Sequence, residues 1–294
     1  MPLDTKSKLF NLMGYAYILF FSLVCCLPFW LVVSGSFSDE SAIAGRGYSL
    51  IPVEFSLKAY EMIFRYGNSL LNAYGVSLLL TALGTIIGLY FMAMAAYVIL
   101  RKDFKYRNYF AFFFYFTMLF SGGIVPFYLL MVGYLDLKNS FLAMLLPPLM
   151  SAWNLLLLRN FMRGVPDSII ESAKIDGAGD FTIFMKLMLP LSKSGLTTIG
   201  LFVALVYWND WYHAMLFIDD SRLYPLQYLL YKTIQQVEGL QMASQKGANI
   251  SLAELPKESI KMATAVVSMG PILLLFPFAQ KYFVKGLVVG AVKG

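Results

Sequence analysis

Apolar residues run in long uninterrupted blocks along this chain, with the polar residues gathered between them. A bilayer core requires about 20 mostly apolar residues per helix. Six stretches qualify: Leu9–Val33, Leu70–Leu100, Asn108–Val132, Ser140–Leu158, Leu189–Ile218 and Met262–Val284. The second and fifth exceed the minimum, which implies tilt or a protruding end. Pro28, Pro126, Pro147, Pro148, Pro271 and Pro277 lie inside these stretches. Neighbouring helices can satisfy the backbone groups a proline frees, so kinked helices are expected, not broken ones. Lys6 and Lys8 precede the first stretch, and Ala42-Ile43-Ala44 resembles a signal-peptidase site. The apolar run of about 25 residues exceeds the roughly 7–15 of a signal h-region, so this segment is expected to remain as a helix. The pattern predicts an all-α polytopic membrane protein. Nothing in residues 1–294 reads as a linker or low-complexity tract, so a single transmembrane domain is expected.

Composition sharpens this reading. Of 294 residues 59% are hydrophobic and 14% charged, against about 45–50% and about 25% in a soluble domain. Mean hydropathy is +0.67. Soluble enzyme folds are set aside on these grounds. A net charge of +6 invites a nucleic-acid reading, but the basic residues are unevenly placed. With the N-terminus cytoplasmic, the inside pieces hold 14 of the 23 Lys and Arg but only six of the 17 acids. The basic excess is then membrane topology, with both ends inside, and nucleic acid is not needed to explain it. The chain belongs in the cell membrane, crossing it several times. The outside loops are 34–69 and 219–261, and the main inside loop is 159–188.

Few residues offer catalytic chemistry. Cys25 and Cys26 are adjacent inside an apolar run; neighbouring cysteines do not easily reach disulfide geometry, and both read as packing residues. His213 is the only histidine, which removes histidine metal clusters. No Gly-Lys dipeptide occurs, so the phosphate-binding P-loop is absent. No catalytic residue, metal site or cofactor is expected in this chain, and any ATP and Mg would be bound by another.

The inside loop holds the most informative residues. Pro166 suits a first helical turn, and Asp167 and Glu171 favour its positive end. Asp176-Gly177 ends that helix, because glycine tolerates the left-handed cap. Asp180 is placed to cap a second short helix running to Lys186, with Phe181, Phe184, Met185 and Met188 on one apolar side. Small side chains at Ser172, Ala173 and Ala178 permit close approach by a partner surface. On this chemistry alone the loop also reads as a solvated connector.

The run Glu171-Ser-Ala-Lys-Ile-Asp176-Gly177-Ala178, followed by Leu189-Pro190, resembles the EAA loop of ABC-importer permeases. Further matches are Ser121-Gly-Gly-Ile-Val-Pro126, Trp208-Asn209-Asp210-Trp211 and the tail from Gln280 to Gly294. Over nearly its whole length the chain is similar to sugar-importer permeases of the maltose-permease (MalG-like) class, in the complex-oligosaccharide branch. Ser172 stands where the pattern has an alanine, and Ser194 where relatives often have proline; both are small. The resemblance implies the type I importer fold with six transmembrane helices. It also implies a second homologous permease, two ATPase subunits and an extracellular sugar-binding protein as partners. Glu171, Ser172, Ala173, Asp176, Gly177 and Ala178 would couple the permease to the ATPase, Glu171 by ion pairing or capping and Gly177 as the turn.

Sugar contacts are less readable. Tyr207, Trp208, Asn209, Asp210, Trp211 and Tyr212 combine aromatic faces with hydrogen-bonding groups near the outer end of the fifth stretch, and an interfacial aromatic belt reads equally well. Asn154 and Ser151 are weaker candidates. Asp210 at apolar depth would need a cavity or a partner. The loop 219–261 is placed to reach a docked binding protein, and its mixed charges also suit a solvated loop. Gly84-Thr-Ile-Ile-Gly88 permits close helix packing, within the chain or against a partner. Two rivals stand apart from the importer. An intramembrane hydrolase needs a buried dyad, and none is evident around His213. A secondary transporter needs repeats or coupling acids, of which Asp210 is the one candidate.

Overall fold

The computed structural model describes residues 5–65, 67–245 and 258–270. Helices carry these residues: α1 (Thr5–Ser36), α2 (Glu40–Arg46), α3 (Lys58–Phe64), α4 (Gly67–Leu100), α5 (Arg107–Leu119), α6 (Ile124–Leu129), α7 (Phe141–Leu145), α8 (Ala152–Met162), α9 (Asp167–Ile175), α10 (Asp180–Ile183), α11 (Leu189–Leu191), α12 (Lys193–Trp208), α13 (Tyr212–Phe217) and α14 (Leu226–Gln245). Residues 258–270 are also helical. One isolated antiparallel bridge joins Ser38 to Phe55.

Among the described residues, two helices are long and apolar enough to cross a bilayer unaided, Phe10–Ser36 and Asn68–Leu100. Pro28 lies inside α1 without interrupting it. Three further pairs of helical pieces, each bent at a short break, bring the crossings to as many as five. The sixth, expected at Met262–Val284, is described only to residue 270, and both chain ends lie outside the described residues.

The bends depart from the expectation of kinked but continuous helices. Within Asn108–Val132, α5 and the piece from Ile124 to Tyr134 meet at 113°. The break falls before Pro126, at Gly123, whose φ of +84° is open to glycine and costly for other residues. Within Ser140–Leu158 the bend is 48°, where Pro147 and Pro148 tighten the chain into a 3-10 turn and Ser151 restarts it by accepting a hydrogen bond from Asn154 N. The fifth stretch, Leu189–Ile218, is divided among α11, α12 and α13. Its second break falls at Asn209–Trp211, where side chains bond the backbone at the helix ends: Asn209 Nδ2 donates to Leu205 O at 2.9 Å beside its own backbone N–H, and Asp210 Oδ1 accepts from His213 N at 3.2 Å.

The described residues fall into two compact units. The first takes those up to Gly67 and from Leu230 to Gly270. There α1 exposes its apolar side chains along Phe10–Trp30, as suits a helix facing lipid. The Glu40 carboxylate accepts hydrogen bonds from the backbone of Glu258 and Ser259 at 3.0–3.1 Å. A carboxylate from a distant helix thus caps the helix beginning at residue 258, matching its positive end. Much of the expected solvated loop 219–261 is helical, chiefly as α14.

The second unit, Asn68–Leu229, packs α4 against the pieces that follow. Gly84 and Gly88 are points of close approach to the backbone of α4. A Cβ on Gly84 would run into the Tyr207 ring, and one on Gly88 would stand 2.6 Å from the carbonyl oxygen of Leu149. The close-packing motif of α4 therefore serves contacts within the chain. Tyr207 is buried, and its hydroxyl donates to the Leu145 carbonyl at 2.6 Å.

Candidate functional site

The loop 159–188 folds into two short helices around one turn. Pro166 is the residue before α9, and Asp167 occupies its first turn. The helix ends at Asp176, and Gly177 takes φ +81°. Gly177 N bonds Lys174 O at 3.0 Å and Ala178 N bonds Ala173 O at 2.9 Å. This left-handed cap satisfies the terminal carbonyls and reverses the chain. Glu171, Ser172, Asp176 and Gly177 are exposed, and Ala173 and Ala178 are half-buried, so the six loop residues singled out from the sequence share one turn-and-helix element.

Asp180 does not cap α10. Gly179 takes that position, with no side-chain bond, because the Asp180 carboxylate is held by Arg101. The expected single apolar side also divides. Ile183, Phe184 and Met188 are buried, whereas Phe181 and Met185 are exposed. The stretch Phe184–Met188 is a π turn, whose wider winding shifts the faces relative to a regular helix. Phe184 packs on Tyr90 and Tyr97 of α4, with ring centroids 6.2 and 5.5 Å apart. Phe181 and Met185, with Ile175 of α9, leave an outward apolar surface that the sequence reading did not separate.

Charges tie this element to the end of α4. Arg101 donates to Asp180, to both oxygens of Asp103 and to the Tyr97 hydroxyl. Lys174 of α9 reaches Asp103 at 3.1 Å, and Lys102 reaches Asp167 at 2.6 Å. The Arg101 guanidinium, helped by Lys174, holds the Asp103 carboxyl well below the usual carboxylate range despite its partial burial. Asp103 in turn raises Arg101, which stays charged throughout. Arg101–Asp103 is a local pair, but Arg101–Asp180, Lys102–Asp167 and Lys174–Asp103 span 79, 65 and 71 residues, beyond any local pattern.

The sugar-contact candidates do not gather in one place. Tyr207 and Trp208 of α12 are buried, as is Asn154 of α8. Asn209 caps α12, and Trp211 and Tyr212 are exposed with rings 6.1 Å apart. Asp210 has a partner: its Oδ2 lies 2.6 Å from His213 Nδ1. Asp210 stands three residues before His213, the spacing of a helix cap, and that spacing is the signal in the sequence for this pair. A cavity of about 490 Å³ opens beside the α5–α6 break, lined by Ser121, Gly123, Phe127, Leu130 and Tyr212 among others. Of the aromatic and polar candidates only Tyr212 lines it. Ser121–Pro126 entered the sequence reading as a matched motif without a role.

Known proteins similar to this chain are transport components. The family model described as "binding-protein-dependent transport system inner membrane component" matches residues 84–289. The polygalacturonan/rhamnogalacturonan transport system permease protein YtcP of Bacillus subtilis (strain 168) is 40% identical over 290 residues, covering 98% of this chain and 100% of that protein. Protein LplC of the same organism is 36% identical over 99% of this chain and 97% of its own. A chain of a bacterial ABC transporter involved in the import of the acidic polysaccharide alginate superposes with a TM-score of 0.76 at 27% identity, over 95% of this chain and 98% of that one.

Proposed function

The chain belongs to the family of binding-protein-dependent transport system inner membrane components, and on that premise we propose that it is one of two permease subunits of an ATP-driven importer of an oligosaccharide. It is a multi-pass membrane protein and a sugar ABC transporter permease by its relatives. In the proposed assembly six helices cross the bilayer and both ends are cytoplasmic. A second permease supplies the other half of the path, two ATPase subunits bind ATP and Mg, and an extracellular binding protein delivers the sugar. Polygalacturonan and alginate, named for two of the similar proteins, favour an oligosaccharide carrying uronate groups.

The observation that carries this reading is the helix–Gly177–helix element fastened to the end of α4 through Arg101. Coupling requires a stiff element with two discrete positions. A capped pair of short helices, presenting Glu171, Ser172, Ala173, Asp176 and Ala178 beside the exposed Ile175, Phe181 and Met185, suits insertion into a cleft on an ATPase. Closure of two ATPases would then move α4 with the loop and turn the cavity from one side of the membrane to the other. On the substrate side, Tyr212 and Phe127 offer aromatic faces to a sugar ring. The Asp210–His213 pair, Asn209 and Trp211 stand next in sequence.

The test is purification of the chain from its native membrane in mild detergent, with mass spectrometry of its partners. A second permease and an ATPase are expected to copurify. Recovery of the chain alone, even after cross-linking, would sink the importer and revive an ion-coupled secondary transporter.

A further inference from the structure

A cavity of about 980 Å³ lies where α4 ends, α5 begins and α8 ends, lined by six basic and three acidic residues. Its cations divide into two sets. Arg101, Lys102 and Lys174 are paired with Asp103, Asp180 and Asp167. Arg107, Arg159 and Arg163 have no ion pair among the described residues. The third acid, Glu171, has none there either.

The three unpaired arginines come from two elements. Arg107 is the first residue of α5, Arg159 lies in the last turn of α8, and Arg163 is its C-cap. Arg159 is half-buried and feels the charges of both Arg163 and Arg107. The preference for basic residues at one membrane face explains why cations stand at this end. It does not explain why three guanidinium groups line one cavity with no ion pair among the described residues, because like charges brought together in a partly desolvated place repel. An anion seated among them removes that cost.

Its chemistry follows from the guanidinium fork and the depth. Arginine binds phosphate oxygens through paired N–H donors. All three residues stand at the ends of apolar helices, the level at which lipid headgroups lie, and basic pockets there suit headgroup phosphates. We propose that Arg107, Arg159 and Arg163 form a binding site for a phosphate group, supplied by the headgroup of an anionic phospholipid. The same cavity is lined on its α9 side by Asp167, Ile170, Glu171 and Lys174, and a bound lipid would brace the end of α8 from which the loop 159–188 departs.

The experiment uses the full-length chain with its copurifying subunits, stripped of lipid and followed by native mass spectrometry. Phosphatidylglycerol is expected to be retained in preference to phosphatidylcholine. Retention falls about fivefold for each arginine removed in Arg159→Gln and Arg163→Gln, while Arg159→Lys keeps most of it and Lys138→Gln, outside the cavity, keeps all of it. Photoreactive phosphatidylglycerol added to the unaltered protein is expected to label peptides carrying Arg107 and Arg159, which needs no substitution to fold. Equal retention of the two lipids, unchanged retention in the double Gln variant, or labelling elsewhere would overturn the site. Release of phosphatidylglycerol by millimolar inorganic phosphate would overturn the lipid as its source. The measurement reads lipid and not transport, so it stands whether or not the chain imports a sugar.

Discussion

Arg101 and Asp180, 79 residues apart in sequence, are joined by a charge-assisted hydrogen bond. The residue that follows α4 therefore also holds the first residue of α10, which links the loop to the end of a membrane-spanning helix. If the loop transmits force, Arg101→Ala should lower uptake about tenfold or more, since hydrogen bonds to charged groups contribute roughly 1.5–3 kcal/mol. Arg101→Lys should recover only part, because an ammonium cannot reproduce the fork that serves Asp103 and Asp180 together. Asp180→Asn should cost less, and the double variant should cost less than the two singles combined. Sugar uptake, normalised to the amount of chain in the membrane, checks this; additive losses would place the two residues in separate roles.

Gly177 separates conformational cost from bulk. A Cβ there would meet nothing within 4 Å, yet φ is +81°, a conformation costing other residues about 1–2 kcal/mol. Gly177→Ala should reduce uptake modestly, and Gly177→Asn less, because asparagine tolerates that region. Gly177→Trp should abolish uptake with insertion intact, as bulk blocks a docked partner. Equal activity of the Trp and Ala variants would remove this turn from the ATPase contact.

Much of this arrangement is written locally. The long apolar blocks predict the crossing elements, and Asp176-Gly177 predicts the end of α9, because a cap depends on a few adjacent residues. The break at Gly123 is not visible in averaged hydropathy, since one residue with positive φ interrupts a run that stays apolar on both sides. The burial of Tyr207 is equally hidden: a Tyr-Trp-Asn-Asp-Trp run looks like a binding surface until α4, through Gly84, covers part of it. The Arg101–Asp180 bond depends on the approach of two distant segments, which no local pattern carries.

Among the substrate-side residues the geometry ranks Tyr212 above Tyr207. Tyr212→Ala should weaken apparent affinity for the sugar several-fold with the maximal rate little changed, a loss on the scale of a few contacts to one ring face. Tyr207→Phe should leave sugar affinity alone and lower thermal stability by about 1 kcal/mol through its lost bond to Leu145. A concentration series of uptake with a melting curve for each variant distinguishes them. The reverse pattern would move the path to the α12 face.

Asp103 sets the pH behaviour of the charge network. Its folded-state pKa is depressed, so its contribution to stability is complete above the unfolded carboxylate value of about 3.9 and is lost only as pH falls through the lower, folded value. Across pH 5–8 the Arg101–Asp103 pair should not titrate. Cross-linking yield between cysteines introduced at Lys102 and Asp167 should be flat over that range once corrected for thiol ionisation. A fall between pH 7 and 5 would require a different titrating group at this end of α4.

The contact between Gly84 and Tyr207 yields the sharpest stability test. Any side chain at 84 would overlap the ring, and overpacking of this kind costs about 1–3 kcal/mol. Gly84→Ala should lower the melting temperature of the purified protein, and Gly84→Leu should prevent its recovery. Tyr207→Leu alone should also destabilise, by leaving a cavity beside α4 and removing the hydroxyl from Leu145. Together, Gly84→Ala and Tyr207→Leu should be less harmful than their separate effects predict, because the new methyl group occupies space the ring has vacated. That sign of coupling depends on the two residues touching within one chain. If the motif instead packed against a partner permease, Gly84→Ala would weaken copurification of the partner and Tyr207→Leu would rescue nothing.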